Sequence, residues 1–312
     1  MESARASPLT APGTLDAVSP PDLEISVILV VSPNRGRESV IGTLQSLQRQ
    51  RGRVPHEIIV VDDPREPTVA MISQQFPEVV LLESCADSVA TKRNVAVERA
   101  RGRILYFCDD HVFFSADHLE IVRRQFNDEQ TIVGGPVANA NPKRLASWAH
   151  YYCEYYKWLP IKKELAFEDL PGSNFAVSRQ VLREIGLFPQ SGRYGQESQL
   201  FVRLRREGHT LHYCPEMKIR HLHVERIRDF WSLSFDYGRG FAANRGFGPG
   251  KRLLHAVTTP AVGFVLYWRM YRQARSNPAY LRKLLLCTPQ LCSTIAIRML
   301  GELVGYLRPR HT

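Results

Sequence analysis

Asp109-Asp110-His111 directly follows the apolar run Arg103–Cys108, RILYFC, which reads as a β-strand. A carboxylate, one spacer and a second oxygen or nitrogen ligand at a strand end can hold a divalent ion. The ion's open positions can then take diphosphate oxygens. An acidic pair after a strand is also ordinary turn composition. The elements around it therefore decide which reading applies.

Those elements alternate. Ile25–Val31 (ISVILVV) and Glu57–Val61 (EIIVV) are β-branched runs that read as buried parallel strands, and Val79–Leu82 as a shorter one. Between them, Ser39–Gln48, Val69–Phe76 and Val89–Arg101 carry helical spacing. Strand and helix in regular alternation predict an α/β fold with a mainly parallel sheet and right-handed crossovers. Polar residues gather just past the strand ends, at 32–35, 62–63 and 109–111. That edge is where open α/β sheets bind ligands. Two phosphate-loop lookalikes fail. Gly238-Arg-Gly240 has no third glycine and no preceding strand, and Gly248-Pro-Gly250-Lys251 ends in Arg252 rather than Ser or Thr.

The 312 residues are 44% apolar and 23% charged, which excludes a disordered chain, a collagen and a polytopic membrane protein. Six cysteines without CxxC pairs exclude a zinc ribbon or disulfide framework, so free thiols facing a reducing cytosol are expected. Residues 1–22 are rich in Ser, Ala, Pro and Thr and lack an apolar core; they predict a disordered lead-in and no secretory signal. The net charge of +10 is uneven: from residue 238 onward there are twelve Lys/Arg and only Glu302 as an acid. The same segment holds the uncharged run Ala256–Trp268 and a longer apolar stretch, Leu284–Leu307, broken by Pro289, Arg298 and Glu302. Neither reads as about 20 unbroken apolar residues. The expectation is helices lying in the plane of an anionic membrane surface, on its cytoplasmic face, with a helical subdomain packed on the body as the alternative. Nucleic acid is not an expected partner, because the bases interleave with apolar runs.

The order of motifs resembles the family 2 glycosyltransferases of GT-A fold. ISVILVVSPNRGRE is similar to the family's opening strand and Asn-Arg turn, and EIIVVDD to its second strand. ATKRNVAVERARGRILYFCDDHV resembles the Arg-Asn helix followed by the metal-binding strand end. LPGSNFAVSRQVLREIGLF resembles the acceptor-side segment, and GQESQLFVRLRREGHTLHYCPEMKIRHLH the acidic helix with its downstream histidine. The resemblance spans residues 24–223, so domains are expected at 23–235 and 236–312, the latter basic, helical and membrane-associated.

The resemblance implies roles. Asn34, Asp62, Asp63, Arg93, Asp109 and Asp110 would face the nucleotide-sugar donor; Asp109, His111 and His221 would hold the metal; Glu197 would be the catalytic base; Ser173 and Asn174 would meet the acceptor. It further implies inversion at the anomeric carbon and a lipid-linked sugar or polysaccharide as acceptor. Each residue also has a plainer reading. Asp62-Asp63 would suit a turn, Arg93 a surface ion pair, Glu197 a helix N-terminus, Ser173 and Asn174 a cap, and His221 a satisfied histidine. The aromatic cluster from Trp148 to Trp158 fits either a core or an acceptor or membrane contact. Two positions depart from the family's pattern. His111 replaces a second aspartate, which shifts the expected metal from magnesium toward manganese. Gln196-Glu197 replaces the usual Glu-Asp pair, which lengthens the base and removes a charge beside it. The competing functions are an inactive, membrane-attached nucleotide binder and a nucleotidyltransferase that makes an activated sugar.

Overall fold

The computed structural model describes residues 23–32, 37–128, 130–161, 167–190, 195–245 and 247–308. Asn34 and the lead-in 1–22 lie outside the described residues. The first half alternates as expected: β1 (Ile25–Val30), α1 (Arg37–Gln48), β2 (His56–Asp62), α2 (Thr68–Gln75), β3 (Val80–Glu83), α3 (Val89–Arg99) and β4 (Ile104–Asp109). Then follow β5 (Val112–Phe113), α4 (His118–Gln125), β6 (Ile132–Gly134), β7 (Val137–Asn139), α5 (Leu145–Tyr155), β8 (Asn174–Ser178), α6 (Arg179–Ile185), α7 (Gln196–Arg206), β9 (His212–Tyr213) and β10 (Ile219–His221). Three long helices end the chain: α8 (Arg228–Asn244), α9 (Pro249–Ala274) and α10 (Pro278–Leu307).

Seven strands form one sheet in the order β3-β2-β1-β4-β8-β6-β9, with β8 antiparallel to both neighbours. Every residue of β1 is buried, because both faces are covered. Val27 and Leu29 pack with Val40 and Leu44 of α1, Ile72 of α2 and Leu119 of α4. Ile28 and Val30 face the other way, toward Ala96 and Val97 of α3, Val181 of α6 and Leu200 of α7. The register pairs Val30 with both Val61 and Asp109, so the carboxyl ends of β1, β2 and β4 share one edge. A second, three-stranded sheet in the order β5-β10-β7 stands across that edge.

The C-terminal region differs from the sequence expectation. The run Leu284–Leu307, read as interrupted, is one helix that continues through Pro289. By length and composition α10 could cross a membrane. It packs on α8, α9 and α5 instead, and Leu284, Cys287, Leu291 and Met270 share the core cluster of Val27 and Leu44. Glu302, which broke the apolar run, is buried and paired: Tyr306 donates to it at 2.9 Å and Arg245 lies 3.8 Å away. Helix α8 runs across the boundary expected at 235/236. The aromatic cluster is core as well. Trp148, Tyr151, Tyr152 and Tyr155 are buried, and Tyr152 donates to the Tyr280 carbonyl at the start of α10 at 2.7 Å, so an acceptor or membrane role for these four gives way to packing.

Glycines set the α8–α10 approach. A Cβ on Gly301 would stand 2.1 Å from the Phe235 carbonyl oxygen, and one on Gly238 2.1 Å from that of Arg298. This accounts for Gly238, whose missing side chain lets two helix backbones touch. Gly301→Ala is expected to cost about 1–3 kcal/mol through overpacking against backbone. Gly248→Ala, where a Cβ meets nothing within 4 Å, should stay within about 0.5 kcal/mol. Denaturant unfolding of both variants checks the contrast, and equal effects would refute the close-packing account.

Candidate active site at the carboxyl edge of the sheet

Asp109 ends β4 with its side chain 29% exposed. Besides the adjacent His111, its neighbours come from two distant segments, Arg93 on α3 and His221 on β10. His221 reaches it because β10 pairs antiparallel with β5, setting His221 opposite Val112, and Leu222 N–H donates to the His111 carbonyl at 2.9 Å. His221 Nε2 lies 3.4 Å from Asp109 Oδ2, and the His111 and His221 rings stand 4.3 Å apart. One ligand atom from each of Asp109, His111 and His221 falls within 4.8 Å of the others.

The residue between the ligands has a role that sequence reading missed. Asp110, expected as a spacer facing the donor, is buried. It accepts from Ser32 N–H at 2.8 Å and from the Ser32 hydroxyl at 3.2 Å, tying β4 to the end of β1. It also lies 2.6 Å from His111 Nδ1. A carboxylate accepts there, so Nδ1 carries the proton and Nε2 keeps the lone pair. A carboxylate behind an imidazole in this way is the usual support of a metal-bound histidine.

Burial works against ionising Asp109. The hydrogen bond from His221 and the charges of His111, His221 and Arg93 outweigh it and hold the carboxyl well below its ordinary range. Burial, then His111, pushes His221 down to about 4 against the pull of Asp109. Near pH 7 His221 is therefore neutral and can ligate. One carboxylate and two imidazoles are a donor set that could hold a divalent ion.

Arg93 was expected near the nucleotide. It is 1% exposed, and its guanidinium lies against the edge-packed Phe107 and Phe188 rings, 5.8 and 5.6 Å from their centroids. Nη1 donates to Glu197 Oε1 at 2.5 Å and Nη2 to the Gly172 carbonyl at 2.8 Å, with Asp109 Oδ1 3.5 Å away. Arg93 thus joins the two carboxylates assigned to metal and base. Glu197 opens α7 and is 27% exposed on its side chain. A Cβ on Gly172 would come 3.0 Å from Glu197 Cγ, so a glycine there lets the carboxylate lie close.

Three other expectations meet a different geometry. Asp62 is buried and accepts from Asp63 N–H at 2.7 Å and from the Thr68 hydroxyl, so it closes the turn into α2 and offers no free oxygen toward a donor base. Asp63 accepts both guanidinium and backbone bonds from Arg65, and these hydrogen bonds hold its carboxyl well below the ordinary range. Asn174 is fully buried. It donates to the carbonyls of Met217 at 2.6 Å and Pro136 at 3.3 Å, and accepts from the Tyr106 hydroxyl at 2.7 Å. It clamps the two sheets together and cannot meet an acceptor. Ser173, also buried, sits one residue nearer the site beside Tyr155, whose ring lies 4.8 Å from that of His221.

The sequence profile of glycosyl transferase family 2 matches residues 27–186, from β1 through α6. The chain belongs to that family. An uncharacterized glycosyltransferase of Bacillus subtilis (strain 168), YwdF, is 34% identical over 107 residues, covering 33% of this chain and 38% of that protein. The mannosyltransferase PcManGT from Pyrobaculum calidifontis, solved with GDP-Man and Mn2+, aligns at a TM-score of 0.57 with 16% identity, over 92% of this chain and 88% of that one. S. aureus TarS 1–349, solved with UDP, aligns at 0.50 with 12% identity over 93% of each chain. At such identities the likeness shows the fold, a GT-A glycosyltransferase fold.

The arrangement in this family member yields two expectations. Asp110→Asn should weaken manganese binding about 10–100-fold by loosening His111, with little change in folding; isothermal titration with Mn2+ reads this, and unchanged affinity would detach Asp110 from the metal site. Arg93→Lys keeps a charge but not the fork that reaches Glu197 and Gly172 together. It should lower stability by about 1–3 kcal/mol in thermal or denaturant unfolding.

Proposed function

We propose that the protein transfers a sugar from a nucleotide-diphosphate donor to an acceptor hydroxyl with inversion at the anomeric carbon. The observation that carries this reading is the convergence of Asp109, His111 and His221 with Glu197, bridged by Arg93, at the ligand-binding edge of the sheet. Glu197 Oε takes the proton of the acceptor hydroxyl, and the freed oxygen attacks the anomeric carbon as its bond to the diphosphate breaks. Asp109, His111 and His221 would hold the divalent ion, which supplies positive charge for the leaving diphosphate. Arg93 fixes Glu197 and Asp109 relative to each other, so proton acceptor and metal ligand keep one spacing.

Manganese is favoured by the donor set and suits the solved relatives that carry Mn2+. A lipid-linked sugar or surface polysaccharide as acceptor, and a place on the cytoplasmic face of a membrane, are supported by the basic, apolar C-terminal helices and by the free thiols.

The test is release of nucleoside diphosphate from a panel of nucleotide sugars with manganese, with magnesium and with chelator. One donor should be cleaved with manganese, and Asp109→Ala should abolish release. Glu197→Gln should keep metal-dependent nucleoside diphosphate binding while turnover falls by at least 100-fold. Absence of both cleavage and metal-dependent binding would sink the proposal.

A further inference from the structure

The outer face of α9 is unusually apolar. Leu253, Leu254, Val257, Phe264, Val265 and Trp268 are exposed, Phe264 at 84% and Val257 at 72%. At 100° per residue, residues 253, 257, 264 and 268 fall on one stripe that runs for about 23 Å along the helix. Isolated exposed apolar residues are ordinary, but a continuous stripe of this kind marks a contact surface. Leu285, Leu286 and Leu300 add an exposed apolar edge on α10. A second copy of the chain would meet the same dense positive charge, whereas an anionic surface complements it.

The stripe leads into a charged groove. At the end of α9, Arg269, Arg272 and Arg275 line an open cavity of about 770 Å³ together with Tyr156, Lys157 and Glu168. Lys157 already pairs with Asp169 at 2.8 Å. The three arginines form no ion pair with any described residue, and Arg269, Arg272 and Arg275 are exposed. Their place at a helix C-terminus is favoured by the helix dipole alone. The dipole does not explain why they converge with Lys157 on one groove where the apolar stripe ends. Guanidinium forks pair bidentately with phosphate, and more strongly with a terminal phosphate than with a buried diester.

We propose that α9 lies on an anionic bilayer with its Phe264–Trp268 stripe in the acyl boundary, and that the Arg269–Arg272–Arg275 groove binds the terminal phosphate of a lipid headgroup. This rests on the membrane-surface part of the proposed function and names the ligand. The groove adjoins the Tyr156–Trp158 turn, which directly follows the Tyr155 that touches His221. A lipid phosphate held there stands at the same end of α5 as the candidate active site. A phosphorylated lipid acceptor would then be gripped by its phosphate as well as by its sugar.

The experiment is co-sedimentation of the full chain with phosphatidylcholine vesicles carrying phosphatidic acid or phosphatidylglycerol at matched surface charge. The protein should bind phosphatidic acid vesicles at least five times more tightly, and millimolar inorganic phosphate should erase that preference while residual binding to phosphatidylglycerol persists. Arg272→Ser/Arg275→Ser should weaken binding about thirtyfold and lose the preference. Phe264→Ser/Trp268→Ser should weaken binding to both vesicle types and keep it. Equal binding to both lipids at equal charge would overturn the phosphate site, and no binding to any vesicle would overturn the whole inference. Manganese-dependent nucleoside diphosphate binding, measured on the same preparations, shows each variant folded and reports separately on the active-site reading.

Discussion

A single buried cation organises the catalytic edge. The Arg93 guanidinium packs against Phe107 and Phe188 and reaches Glu197, Asp109 and the Gly172 carbonyl. A desolvated guanidinium needs acceptors: here Nη1 has Glu197 and Nη2 has the Gly172 carbonyl with Asp109 3.5 Å away, while Nε has no partner among the described residues. The consequence runs both ways. Helix α7 is drawn against the end of β4 through Glu197, and the loop before β8 is drawn in through Gly172. Two negative groups that would repel in an open cleft are held close, leaving oxygens directed at the space between them. Under the proposed function a diphosphate entering this space would bring more negative charge, and the Asp109–His111–His221 cluster is a group of ligand atoms close enough together to hold a cation against it.

Support behind the ligands is as deliberate as the ligands. Asp110 connects Ser32 at the end of β1 to His111, so the metal cluster is fastened to the central strand pair rather than to a loose turn. His221 arrives on a short strand from a separate sheet, and that sheet is locked to the main one by Asn174, which bonds Met217 just before β10. The polar residues that bind nothing themselves thus decide where the binding residues stand.

Much of the fold was legible because a fully buried parallel strand leaves an unmistakable β-branched run, and because crossover helices alternate with such runs. The candidate pair Asp109 and His111 could be picked out for the same reason: it sits where such a strand stops. Pairing across long sequence separations was not. Nothing local to Arg93 announces Glu197, 104 residues on. The surroundings of Asp62 and Asn174 were not legible, because a strand-end aspartate and a pre-helix asparagine have the same composition whether they face ligand or lock a turn. The break that Glu302 makes in the apolar run reads as a hydrophilic interruption, yet Arg245 and Tyr306 neutralise it inside the α8–α10 contact. Hydropathy along one helix does not reveal a partner on another.

Helix α5 is where the two halves of the molecule meet. Tyr155 at its end touches His221 of the metal cluster, and Tyr152, one turn earlier, donates to the Tyr280 carbonyl at the start of α10. The aromatic side chains between them are buried and stacked, a close-packed column with little room to yield. A rigid column fixes the distance between catalytic edge and C-terminal helices. For an enzyme acting on a soluble sugar such rigidity would be indifferent. For one whose acceptor is anchored in a bilayer it is required, because the height of the reacting hydroxyl above the lipid surface is set by the acceptor, and the protein can match it only if its own docking face stands at a constant distance from its base.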